Sequence, residues 1–247
     1  MAKSETAQKL STLIEVEDTA SDPSTEFSEA SDVECSDSQS DDEPPAFYNE
    51  DTVLIFDWDD TMLPSSWLSE QKLSLDAQSK ATPEQEAQLE TLAEHAAETL
   101  TLAKRFGKVV LVTNAERGWI ELSCQKFMPS LYVHLQDVRL FSARSTYEGQ
   151  GVAAPFEWKY LAFETEICSY YESLSSDRPK NVISFGDSFH EREAVIRVTE
   201  RLTNCCTKIL KFTERPVPEQ LLKEHTLIKG CFRDIVSHAG CLDLCLT

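Results

Sequence analysis

Residues 52–61 read Thr52-Val53-Leu54-Ile55-Phe56-Asp57-Trp58-Asp59-Asp60-Thr61. An unbroken apolar run gives way at once to three acids. A short continuous apolar run suits a strand buried on both faces, as in a parallel sheet. Acids at its carboxyl end are then held at the rim of that sheet, where ligands of open α/β sheets bind. This stretch makes two predictions together, a buried parallel strand and a polar site at its tip.

The same grammar recurs along the chain. Lys108–Asn114, KVVLVTN, and Asn181–Phe185, NVISF, are further apolar runs with polar ends, and the second leads into Gly186-Asp187. Val138–Ser142 and Lys208–Phe212 read as extended. A loop is expected over Met62–Lys80. Thr82-Pro83-Glu84-Gln85 then reads as a helix start, with a capping threonine, proline in the first position and glutamine in the third. Leu89, Leu92, Ala93, Ala96, Leu100 and Ala103 follow at helical spacing, and Gly107 ends the helix. Helices are also predicted over Gly118–Phe127, Phe156–Leu174, Glu191–Arg201 and from Pro218 onward. Strands alternating with helices predict an α/β fold around a mainly parallel central sheet.

Composition divides the chain into two parts. The 247 residues hold 23 Lys+Arg against 43 Asp+Glu, a formal net charge of −20. About −13 of it falls in residues 1–51. Residues 1–46 are rich in Ser, Thr, Asp and Glu, which predicts a disordered acidic tail followed by one folded domain over 47–247. Within the tail, Leu10, Leu13, Ile14 and Val16 have the spacing of a short docking helix for a protein partner. Thr19, Ser31 and Ser40 each precede an acid by three positions, a pattern that acid-directed kinases favour. The charge argues against nucleic acid and anionic membranes as main partners. With no long apolar stretch and no secretory leader, a cytoplasmic or nuclear protein is expected, its 8 cysteines reduced rather than paired. Cys205, Cys206, Cys231, Cys241 and Cys245 near His238 lack a CxxC pair, so reduced, buried thiols are the better reading than a metal site.

Three strand tips carry the polar groups: Asp57 and Asp59, then Thr113 and Asn114, then Asp187 with Glu191 close behind. Lys159 lies on the helix between the third and fourth strands. Two like charges at 4 Å repel by about 4 kcal/mol at an effective dielectric near 20. Four carboxylates at one sheet edge therefore call for protons or a cation, and an oxygen-only site suits Mg²⁺. A hydroxyl and an ammonium suit phosphate oxygens, so the set has the parts of a phosphoryl-transfer site.

These residues resemble the haloacid-dehalogenase-like phosphohydrolase superfamily. The apolar strand with DxDxT is matched by Asp57, Asp59 and Thr61; the strand ending in Thr by Thr113; the helical Lys by Lys159, with Lys126 as a rival; GDxxx[DE] by Gly186, Asp187 and Glu191. The resemblance implies a Rossmann-like three-layer α/β/α sandwich and a phosphatase acting on a phosphomonoester. Asp57 would be the nucleophile that forms an aspartyl-phosphate, and Asp59 the general acid and base. Asp57, Asp59 (through its carbonyl), Asp187 and Glu191 would hold Mg²⁺. Thr113, Asn114 and Lys159 would hold the substrate phosphate.

The segments where this family carries a cap are short here, so the site should be open and the substrate macromolecular, such as a phosphoprotein. A phosphotransferase or mutase with the same nucleophile, and a non-enzymatic scaffold that binds a phospho-ligand, are the alternatives. Other readings fail on the residues. An EF-hand needs Gly at Met62 and Glu at Leu68. The GxGxxA match at Gly149–Ala154 is followed by Pro155, and no strand delivers the required acid, so a loop is expected there. Trp58 is expected to pack in the core and Asp60 to cap or hydrogen-bond locally.

Overall fold

The computed structural model describes residues 47–174 and 178–246. The expected tail, with its docking and phosphorylation patterns, lies outside the described residues. A 3-10 turn at Asn49–Asp51 leads into β1 (Thr52–Asp57), followed by α1 (Ser65–Glu70), α2 (Pro83–Lys104) and β2 (Lys108–Thr113). Next come α3 (Trp119–Phe127), the single turn α4 (Pro129–Tyr132), β3 (Arg139–Ser142), α5 (Ala143–Tyr147) and α6 (Pro155–Glu172). The chain closes with β4 (Lys180–Gly186), α7 (Phe189–Thr199), β5 (Cys205–Lys211), α8 (Pro218–Ser237) and β6 (Leu242–Cys245).

All six strands are parallel, in the order β3-β2-β1-β4-β5-β6. The pleat sends alternate residues of each strand to opposite faces. Leu54 and Phe56 of β1, with Ile183 and Phe185 of β4, pack against α2, α3 and α8 through Leu92, Leu100, Ile120, Ile228 and Phe232. Val53 and Ile55, with Val182, face the other way, against Trp158 and Phe163 of α6 and Ala194 and Val198 of α7. The result is the expected three-layer α/β/α sandwich around a parallel sheet.

Local signals explain most boundaries. The Thr82 hydroxyl accepts from the Gln85 N–H, and the Gln85 side chain accepts from the Thr82 N–H, so the capping box forms as expected. Residues 148–150 make a 3-10 turn and α6 starts only at Pro155, so the GxGxxA match is a loop. Three expectations need correction. The segment Met62–Lys80 contains α1, whose first turn is capped from outside by Asp60, which accepts from the Ser66 N–H at 2.8 Å. The fifth strand begins at Cys205 rather than Lys208, and a sixth, β6, pairs with it. The described cysteines are free thiols, and of them only Cys124 is fully buried, against the expectation of buried thiols. No described helix is long and apolar enough to cross a membrane.

Candidate active site

The strand order reverses at β1: β2 and β3 lie on one side, β4 to β6 on the other. A crevice at such a switch point, beyond the strand carboxyl ends, is where ligands of these sheets bind. Asp57 ends β1 and Gly186 ends β4, so Asp57 and Asp187 flank that crevice. Asp57 continues the alternation of Val53 and Ile55, which directs its carboxylate to the α6/α7 layer. There the Lys159 ammonium, on the second turn of α6, donates to Asp57 Oδ1 at 2.6 Å and pairs with Glu191 Oε1 at 2.9 Å. All three are buried, Lys159 at 1% exposure, Glu191 at 3% and Asp57 at 5%.

Glu191 owes its position to a second capping box. Ser188 caps α7, and Glu191 Oε2 accepts from both the Ser188 N–H, at 3.1 Å, and the Ser188 hydroxyl. Gly186 leaves the room: a Cβ there would stand 2.6 Å from Glu191 Cγ. Asp57, Asp187 and Glu191 each offer an oxygen within 4.8 Å of the others, the one group among the described residues able to gather around a metal ion.

The charges are out of balance. Burial raises the Asp57 carboxyl well above its ordinary range; Lys159 opposes this, and Glu191, Asp59 and Asp187 add to it. Asp187 is pushed up to about 7 by burial, then by Glu191 and Asp60. Burial works against the charge of Lys159, but Asp57 and Glu191 overcome it and hold the ammonium protonated. Burial likewise works against ionised Glu191, which Lys159 and Ser188 carry below its usual range. One ammonium therefore serves three crowded carboxylates. Oxygen-only donors, close together and short of positive charge, fit Mg²⁺.

The second half of the site lies toward the other layer. Thr113, at the tip of β2, donates its hydroxyl proton to Asp59 Oδ2 at 2.7 Å, while its oxygen accepts from the Ala115 N–H at 2.9 Å. The Trp119 indole N–H donates to Asp59 Oδ1 at 2.8 Å. The Asp59 side chain thus stands apart from the carboxylate trio. Asn114 donates to the Pro155 carbonyl at 3.1 Å, tying the tip of β2 to the first turn of α6.

Lys126 is elsewhere. It donates to the carbonyls of Asp76 and Ser79 at 2.6 and 2.8 Å, beside a cavity of about 610 Å³ lined by Leu75, Leu89 and Phe127. Geometry thus brings Lys159, and not Lys126, to Asp57. Trp58 is fully buried, as expected, and its indole N–H donates to Ser123 Oγ at 3.0 Å. Thr61 is buried under α8, its carbonyl accepting from His225 Nε2 at 3.1 Å. Burial takes the His225 pKa down to about 4 and keeps that ring neutral.

Sequence reasoning gave Ser188, Trp119 and His225 no role in the site. Ser188 had a signal, the Ser-x-x-Glu spacing of a capping box. Trp119 and His225 had none. In comparison with known proteins, the chain matches no family model, no curated protein and no solved structure.

Proposed function

We propose that the chain is a Mg²⁺-dependent phosphatase of the haloacid-dehalogenase-like kind, hydrolysing a phosphomonoester through Asp57. The observation that carries this reading is the buried Lys159 bridge between Asp57 and Glu191, with Asp187 beside it, at the point where strand order reverses. A solvated acidic turn has no reason to bury a lysine. Burying an ammonium and two carboxylates costs several kcal/mol per ion before their attraction is counted, so such a cluster weakly serves stability and better serves chemistry.

In this mechanism Asp57 attacks phosphorus and the ester P–O bond breaks. Asp59 gives its proton to the departing oxygen. Water then attacks the phosphorus held on Asp57, passing a proton back to Asp59, and the bond to Asp57 breaks to release inorganic phosphate. Lys159 keeps Asp57 oriented and offsets charge on the phosphoryl oxygens, and Thr113, whose one hydroxyl proton goes to Asp59, acts through that acid. Mg²⁺, held by Asp57, Asp187 and Glu191, would supply the remaining positive charge against the phosphate dianion. Between β1 and β2 only the short α1 and one loop precede the core helix α2, so the reading favours an open site and a phosphate carried on a macromolecule.

The test is release of inorganic phosphate from an aryl phosphate, with and without Mg²⁺, by the full chain and by Asp57→Asn. Metal-dependent release that Asp57→Asn abolishes is expected. Transfer to an added alcohol without phosphate release would convert the reading to a phosphotransferase. No turnover over a broad ester panel would leave a phospho-ligand scaffold.

A further inference from the structure

We infer that Trp119 is a positioning residue for Asp59: its indole N–H and the Thr113 hydroxyl form a two-donor clamp that fixes the orientation of that carboxylate. This rests on the reading of Asp59 as the proton donor and acceptor. The contacts are directional. Thr113 has one hydroxyl proton, and its oxygen already accepts from Ala115, so that proton goes to Asp59 Oδ2. An indole nitrogen can only donate. The two bonds, at 2.7 and 2.8 Å, fall on different oxygens of one carboxylate. With Thr113 alone the carboxylate would be free to pivot about that bond; the second donor removes the pivot. Each oxygen keeps a further lone pair, enough for the proton that Asp59 gives and takes.

The ring is itself held in place. Gly118 has φ +91° and stands at the N-cap of α3, a conformation that L side chains rarely adopt. The chain thereby turns directly into the helix, with Trp119 as its first residue. One turn on, the buried Ser123 hydroxyl donates to the Trp119 carbonyl and accepts from the Trp58 indole N–H. Trp58 lies between Asp57 and Asp59 in sequence. The segment that carries both carboxylates is therefore bolted to the helix that carries the clamp.

Trp119→Phe keeps most of the aromatic surface and deletes the donor. Two measurements test the inference on the full chain. In ¹H–¹⁵N spectra, with the indole signals assigned by single Trp→Phe variants, the Trp119 indole resonance should move on Asp59→Asn, and that of Trp58 much less. In kinetics, a misoriented proton donor matters most for poor leaving groups. Trp119→Phe should lower kcat/KM on an alkyl phosphate between about tenfold and a hundredfold and on nitrophenyl phosphate much less, because kcat/KM ends at departure of the leaving group, whereas both esters share the later attack of water on the Asp57 phosphate. An equal loss of kcat/KM on both esters would make Trp119 merely structural and overturn the inference. So would an unchanged kcat/KM, or an indole resonance that ignores Asp59→Asn. Asp57-dependent turnover with any of these outcomes would leave the proposed function standing. If the wild-type chain turned over neither ester while the resonance still answered Asp59→Asn, the phosphatase reading would fall. The contact would remain, and its assignment as a positioning residue would fall with that reading.

Discussion

Replacing Lys159 by Met should destabilise the protein by an amount that depends on pH. The ammonium is 1% exposed and lies 2.6 Å from Asp57 and 2.9 Å from Glu191. Methionine follows the lysine side chain as far as Cε and lacks only the ammonium, so the loss is chiefly that of charge. Breaking a buried ion pair from one side costs about 3–5 kcal/mol, because the partner stays buried and unpaired. In a domain of this size that is roughly 6–20 °C in Tm. The pH dependence follows from the carboxylates. In the wild type Lys159 and Ser188 hold Glu191 below its ordinary range, so its contribution is present above the unfolded pKa and fades as pH falls. In the variant Asp57 and Glu191 lose their counter-charge and bind protons more readily when folded, which costs stability as pH rises past about 4. Both effects act in one direction: the deficit should be largest at pH 8 and smaller near pH 4, where Asp57 is protonated and the contribution of Glu191 has only begun to fade. The assay is thermal unfolding by circular dichroism in EDTA, for wild type and Lys159→Met, across that range. A drop below about 2 °C at pH 8, or one equal at both ends, would refute the account of a lysine that neutralises buried carboxylates.

The neighbouring residues give opposite or smaller effects. Asp187→Asn in EDTA should stabilise the protein at pH 8, by roughly 2–4 kcal/mol from the rise of Asp187 to about 7, because ionising that buried group costs the folded state. The gain should be gone by about pH 3, where both states hold the proton, and the rise in Tm expected from Mg²⁺ in the wild type should shrink. Gly186→Ala puts a Cβ 2.6 Å from Glu191 Cγ; about 1–3 kcal/mol should be lost to overpacking, and the Mg²⁺ shift should disappear as Glu191 moves. Lys126→Met should cost about 1–2 kcal/mol through its two carbonyl contacts. Faster tryptic cleavage at Lys72 or Lys80 would report the loosened loop, and the Mg²⁺ shift should stay as in the wild type.

What could be read from the sequence follows the burial of each element. β1, β2 and β4 are covered on both faces, so their middles had to be mainly apolar and announced themselves. The sheet edge had no such obligation. β6 is four residues with only Leu244 buried, and the first three residues of β5 are half-buried, so neither left a continuous apolar run. The six residues of α1 carry no cap of their own, because Asp60, reached through a left-handed turn at φ 54°, supplies it from outside. A cap that arrives through a bend in the backbone leaves no pattern in the helix it serves.

The same distinction separates the legible half of the site from the hidden half. Asp57 and Asp187 stand at strand tips, and parallel strands put their tips at one edge, so sequence order alone gathered them. Choosing between Lys126 and Lys159 needed one more fact, the layer in which each helix lies. Asp57 shares the parity of Val53 and Ile55, whose partners are on α6 and α7, so its lysine had to come from that layer. Lys126 is on α3, whose Ile120 and Phe127 pack against the opposite face. Trp119 reaches Asp59 from that opposite layer, across the edge of the sheet. Asp57 and Asp59 are thus held from different sides of one sheet, the first by charge and the second by neutral donors. A change in α6 or α7 should therefore act through salt and pH, whereas a change in α3 should act through the leaving group.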